Sequence, residues 1–174
     1  MRKICIAVLS RANYGRVKSV MEAVKNHPDL ELQVLIGGSA NLERFGNVLE
    51  LIERDGFTAS HNLYFAVEGD DPGTMSKTTG LGIIQISNAL ELLKPDVVIT
   101  VADRYETMAT AIAASYQNII LAHIQGGEVT GSIDESVRHA ITKLSHIHFP
   151  CTGKAMENIV KMGENKDYVF NVGC

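Results

Sequence analysis

Residues 123–139, HIQGGEVTGSIDESVRH, crowd six ionisable side chains and three glycines into one short stretch. Carboxylates (Glu128, Asp134, Glu135) are interleaved there with Arg138 and two histidines, a mixture that can move protons beside a bound anion. Two shorter segments carry similar chemistry. Residues 10–16, SRANYGR, contain Arg11 and Arg16, and residues 102–106, ADRYE, contain Asp103, Arg104 and Glu106. One site built from all three segments would have carboxylates for acid/base work and arginines for a phosphate. Three unrelated loops would have only solvated charge.

Whether the segments meet depends on the elements between them. Apolar runs of strand length fall at residues 4–9, 30–36, 62–66, 97–101, 119–124 and 168–172, with a short one near 148–150. Most are apolar throughout, as strands buried on both faces must be. Helical periodicity fills the gaps at 16–26, 48–54, 73–93, 106–116, 135–146 and 153–162. Ser132 followed by Glu135 has the spacing of a capping box opening one of these helices. Regular β-α alternation predicts an α/β fold, a doubly wound parallel sheet with right-handed crossovers. In strand order 3-2-1-4-5 the chain reverses between strands one and four, and ligands bind outside the carboxyl ends there. The three charged segments follow strands one, four and five, so they are expected to converge.

Each residue also has a plainer use. Asp103 suits a helix N-cap as well as it suits catalysis, and Asp134 can cap its helix and pair with Arg138 four residues on. Glu128 fits a solvated loop, and Gly126-Gly127 fits a turn. His123, ending an apolar strand, fits a hydrogen-bonded core histidine. The first loop has one glycine where a dinucleotide fingerprint needs three, and no P-loop motif occurs, which disfavours NAD binding and P-loop nucleotide hydrolysis. Arg11 and Arg16 remain able to meet a phosphate at a helix amino end.

Composition narrows the classes further. With 174 residues, 45% of them hydrophobic, the chain can bury the core of one domain. A net charge of −4 without a basic cluster argues against nucleic acid or an anionic membrane as partner. The apolar run after Arg2-Lys3 is too short for a signal peptide, and no stretch is long enough to span a bilayer. An odd count of three cysteines, Cys5, Cys151 and Cys174, in mostly apolar settings points to reduced thiols and a cytoplasmic location, with Cys5 and Cys151 as core filler. His139, His146 and His148 lack the spacing of a zinc site, so no metal is expected.

Three segments taken together resemble one family. Arg11-Ala-Asn-Tyr14, Ala102-Asp-Arg-Tyr-Glu106 and the run from His123 through Arg138-His-Ala-Ile-Thr-Lys-Leu-Ser145 are similar to the amino-terminal domain of the hydrolysing UDP-N-acetylglucosamine 2-epimerases of sialic acid biosynthesis. They are similar also to the paralogues that act on a diacetamido sugar nucleotide on the way to legionaminic acid. The resemblance covers essentially the whole chain, including Gly37-Gly38-Ser39 through Phe45-Gly46-Asn47 and the final Asn171-Val-Gly-Cys174.

The resemblance implies a Rossmann-like first half of a GT-B type fold over residues 1–174, with the family's second domain following a hinge and absent from this chain. That missing domain would supply most uridine and diphosphate contacts, leaving the isolated domain inactive. It implies further a UDP-amino sugar as substrate, no cofactor, and a homo-oligomer for the full-length enzyme. The chemistry implied is anti elimination of UDP to a 2-acetamidoglucal, then addition of water to give the free 2-epimer. By motif position, Asp103 and Asp134 would be acid/base groups, Arg11 and Arg104 would contact substrate, Arg138 would orient Asp134 or touch the sugar, and His123 would line the pocket. Gln125 stands where some members have a catalytic acid, so either another group such as Glu128 replaces it or a third carboxylate is dispensable. Asn13 replaces a common acid and Ala40 a histidine, changes that fit the diacetamido branch at least as well. A non-catalytic sugar-nucleotide-binding domain and half of a GT-B glycosyltransferase are the alternatives.

Overall fold

The computed structural model describes residues 1–69 and 71–173. Cys174, counted above among the cysteines and in the terminal motif, lies outside them. Chain order is β1 (Arg2–Val8), α1 (Arg11–Asn26), β2 (Leu30–Ile36), short 3-10 turns at Gly38–Asn41 and Glu43–Phe45, α2 (Val48–Arg54), β3 (His61–Asn62), α3 (Pro72–Leu93), β4 (Val97–Val101), α4 (Tyr105–Tyr116), β5 (Ile120–Ile124), α5 (Ile133–Leu144), β6 (Ile147–Phe149), α6 (Gly153–Lys161) and a 3-10 turn at Lys166–Tyr168.

The strands form one parallel sheet in the order β3-β2-β1-β4-β5-β6. The expected order holds for the first five, and β6 extends the sheet beyond β5. Ile6, Val8, Val34 and Ile36 face α1 and α2, packing on Val17, Met21 and Ile52. Cys5, Ala7, Leu35, Val98 and Leu121 face the other way onto α3, α4 and α5. Alternate residues of each strand thus feed two separate cores, which is why the strands read as unbroken apolar runs.

Local chemistry sets the helix starts. Ser10, Asn47, Asp71 and Thr152 each accept a backbone N–H three residues on, capping α1, α2, α3 and α6. Because Ser10 is a cap, α1 begins at Arg11 rather than at Arg16, and the expected loop after β1 is the first turn of a helix. The capping box expected on α5 does not form. Ser132 makes no side-chain cap bond, while the Glu135 carboxylate accepts the N–H groups of Thr130 (2.6 Å) and Gly131 (2.7 Å).

Two expected strands are curtailed. Only His61–Asn62 pairs with β2 before Leu63 and Phe65 turn into the α3-side core. At 168–172 a single bridge from Val169 to His148 replaces a strand, because β6 is three residues long and offers little ladder to extend.

Candidate functional site at the carboxyl edge of the sheet

β4 and β5 end alike. Val101 pairs with Ile124, and the next residue on each strand, Ala102 and Gln125, is left-handed with φ of 63° and 66°. Residues with a Cβ seldom adopt this conformation, so both kinks must be held by their surroundings. The Ala102 N–H donates to the Ile124 carbonyl (2.9 Å) and the Gln125 N–H to the Phe149 carbonyl (3.0 Å). The kinks turn the chain out of the sheet and bring Asp103 and Glu128 to one cavity of about 310 Å3, lined also by Arg16, Gln125, Thr130, Arg138 and Cys151.

Arg138 ties this cavity together. Its guanidinium donates through Nη1 to the Glu128 carbonyl (2.6 Å) and through Nη2 to the Asp103 carboxylate. Asp103 does not cap α4, since Arg104 occupies that position, and Arg138 pairs across 35 residues rather than with its helical neighbour Asp134. Both local assignments are therefore replaced by one tertiary ion pair. The arginine side chain is only 7% exposed and the aspartate 19%, so the pair is poorly screened by water.

Asp134 is exposed on the first turn of α5 and lines a second cavity of about 270 Å3 with Ser39, Arg44, Tyr105 and Arg104. Arg104 is aimed there by Glu106, a fully buried carboxylate that accepts its Nε (3.0 Å) and Nη2 (3.2 Å). Sequence reasoning left Glu106 without a role. No spacing rule announced it, since residues two apart do not ordinarily face each other along a helix.

One expectation is corrected. His123 does not line the Asp103 cavity: it is wholly buried, with Nε2 2.8 Å from the Ala102 carbonyl and Nδ1 3.2 Å from the Thr142 hydroxyl. A carbonyl only accepts, so Nε2 carries the proton and Nδ1 accepts from Thr142. Burial pushes the ring's pKa down to about 4, which leaves it neutral at physiological pH. Arg11 lines a separate cavity with Gly46, Asn47 and Arg54, donating to the Phe45 carbonyl (3.4 Å). Five residues along α1, Arg16 lines the Asp103 cavity together with Arg138.

The loop after β5 packs too closely for side chains. A Cβ on Gly126 would sit 2.8 Å from Thr142 Oγ1 and 2.9 Å from His123 Nδ1, and Gly127, at φ 83°, would meet the Ala155 carbonyl of α6 at 2.3 Å. Asn158 of α6 donates to the Gly127 carbonyl (2.9 Å), anchoring the same loop. Beside it an apolar groove of about 680 Å3 runs under Val20, Ile99, Ile124 and Phe149. Cys151 is not core filler. It is half-buried on this groove and disulfide-bonded, leaving Cys5 as the free, buried thiol among the described residues. No helix among those residues is long and apolar enough to cross a membrane, and no cluster of three metal-ligating side chains occurs among them.

Comparison with known proteins gives this edge a context. A family profile described as UDP-N-acetylglucosamine 2-epimerase matches residues 22–174. The chain is 34% identical, over its whole length, to a protein of Legionella pneumophila named UDP-N,N'-diacetylbacillosamine 2-epimerase (hydrolyzing), of which it covers 46%. It is 35% identical over 99% of its length to the GDP/UDP-N,N'-diacetylbacillosamine 2-epimerase (hydrolyzing) of Campylobacter jejuni, covering 45% of that protein. The crystal structure of UDP-GlcNAc 2-epimerase from Neisseria meningitidis bound to UDP-GlcNAc superposes with a TM-score of 0.86 at 22% identity, over 98% of this chain and 46% of that one. The chain thus spans about half the length of the relatives it matches. With a profile matching most of the chain, the protein belongs to the UDP-N-acetylglucosamine 2-epimerase family.

Proposed function

We propose that this domain is the acid/base half of a hydrolysing 2-epimerase acting on a UDP-linked 2-acetamido sugar. The observation that carries the proposal is the Asp103–Arg138 pair beside Glu128, with Asp134 in the second cavity, at the sheet's switch point. The names of the two hydrolysing relatives at 34% and 35% identity support the hydrolytic outcome and make the diacetamido sugar the first substrate to try.

In the proposed reaction a carboxylate removes the proton at C2 while the C1–oxygen bond to the diphosphate breaks, giving UDP and a 2-acetamidoglucal. Water then adds, its hydroxyl to C1 and a proton to C2 from the opposite face, and the free 2-epimer leaves for nonulosonic acid synthesis. Asp103 and Asp134 are assigned as the acid/base groups, working from two sides of the sugar. Glu128 takes the third position, because the amide of Gln125 cannot carry a proton between turnovers. Arg16 and Arg104 are assigned to the departing diphosphate and the sugar, where cationic N–H donors lower the cost of developing negative charge. A second Rossmann-like domain in GT-B arrangement would close over this edge and hold the uridine, so the domain alone should turn over poorly.

The test is to follow UDP-GlcNAc and its diacetamido analogue by proton NMR in deuterated water with the full-length gene product. Free UDP together with deuterium at C2 of a free, epimerised sugar is the expected result. A nucleotide-bound epimer without free UDP would overturn the hydrolytic assignment, and no reaction from a folded protein would overturn the enzyme assignment altogether.

A further inference from the structure

We propose that His123 is a positioning residue for Asp103, its ring locking the left-handed kink at Ala102 from which Asp103 is presented to the cleft. Asp103 follows directly on a residue that has a Cβ and yet sits at φ 63°. Unaided, such a residue relaxes towards the right-handed or extended regions, and the carboxylate one residue on would swing with it. Two hydrogen bonds prevent this. The amide of Ala102 is held by the Ile124 carbonyl, as sheet pairing would hold it in any sequence. Its carbonyl is held by the His123 ring alone among the described residues.

The surroundings fix the ring as a donor in one orientation. Thr142 Oγ1 lies against Nδ1, and Gly126 packs so tightly on the same edge that a Cβ there would collide with it. The titratable groups nearest the ring are His139 of α5 and His148 of β6, whose strand neighbours His123 in register. His123 is wholly buried and is not part of the Asp103 cavity wall, so its influence on chemistry runs through Ala102 and Asp103. The kinetic part of this inference rests on the assignment of Asp103 as a reacting carboxylate, whereas the tether itself does not.

Three variants separate the roles: His123→Gln, which keeps an N–H donor at similar reach; His123→Leu, which fills the space without one; and His123→Leu combined with Ala102→Gly. On the chain itself, nitrogen NMR should find the His123 imidazole neutral and protonated at Nε2 throughout pH 5 to 8, and the Ala102 amide slow to exchange. In His123→Leu that amide should exchange at least about tenfold faster, by local opening of the kink. In the full-length protein kcat should fall roughly 100-fold, as expected when a catalytic group is misplaced by about an ångström, with KM little changed. His123→Gln should recover most of the loss. Ala102→Gly should recover much of it in the leucine background, because glycine takes the left-handed conformation without strain.

An Nδ1–H tautomer, or a leucine variant as protected and as active as the parent, would overturn the proposal. A double variant no better than His123→Leu would do so too, by reducing the histidine to packing. Should His123→Leu fail to fold, the tautomer and the amide exchange of the parent and of His123→Gln still decide. A parent without turnover would overturn the proposed reaction and leave the tether to the NMR measurements.

Discussion

Asp55 and Asp103 are equally exposed, 19% at the side chain, and each is paired with a cation, yet their surroundings differ in kind. Asp55 follows α2 and its Oδ2 takes both the Tyr14 hydroxyl (2.6 Å) and Lys18 (3.0 Å) from α1. The Tyr14 hydrogen bond, with help from Lys18, holds its carboxyl below the usual range. The lysine is 40% exposed, so water screens the pair, and the group serves to join two helices. Asp103 is held by an arginine that is itself only 7% exposed and is fixed from a second loop, and it lines a cavity. What separates a joining carboxylate from a candidate reacting one is thus not its own burial. It is the rigidity of the cation and the open volume beside the pair.

The contrast can be broken most severely at Asp103. Asp103→Asn is expected to lower turnover of the full-length protein by about a thousandfold, within the range for loss of a positioned acid or base, while the protein remains folded at the assay temperature. A variant that remains active would return Asp103 to a structural role like that of Asp55.

The next effect concerns pH. His123 is held down to about 4 in the folded chain, whereas an unfolded histidine takes up its proton near 6.5. Stability from keeping the ring neutral is therefore whole above about pH 6.5 and is lost progressively as pH falls towards 4, by up to about 3 kcal/mol. Urea unfolding at pH 7 and pH 4.5 should show this loss in the parent and a smaller one in His123→Gln. Asp55 acts in a lower window: its depressed carboxyl contributes above about pH 4, and that contribution fades as pH drops further.

Arg138→Met should cost about 2 kcal/mol, because it strands a carboxylate that retains some water and frees the Glu128 carbonyl. Equilibrium unfolding of the chain measures it, and a cost near zero would mean that the pair contributes nothing to the fold. Tyr14→Phe, on the Asp55 side, should cost about 1 kcal/mol and leave turnover untouched. A kinetic defect in that variant would erase the distinction between the two carboxylates.

Much of the fold was legible because it depends on local pattern. Apolar runs with helical stretches between them gave the β-α alternation, and the crossover rule then gave the order β3-β2-β1-β4-β5 and the convergence of the loops after β4 and β5. The choices left to tertiary structure all involve residues with two uses of similar local merit. Arg138 could pair within its helix or across the cleft, and the cross-cleft partner prevails because two loops already bring Asp103 and the Glu128 carbonyl to it. Arg11 and Arg16 read alike in sequence, and only the cap at Ser10, which places Arg11 first in α1, decides which of them lines the Asp103 cavity. His123 offered a core and a pocket role, and the left-handed carbonyl at Ala102, a feature no residue pattern announces, claims its ring.

By itself, then, the sequence determined the layer architecture, the family and which three charged segments follow strands β1, β4 and β5, since periodicity, turn residues and long motifs are properties of neighbours along the chain. Tertiary structure alone decided which carboxylate the buried arginine holds, that Glu106 aims Arg104, and that β4 and β5 end in matched left-handed kinks. Those outcomes depend on distances between segments far apart in sequence, and on the cost of leaving a buried polar group without a partner, which is settled only when the strands lie side by side.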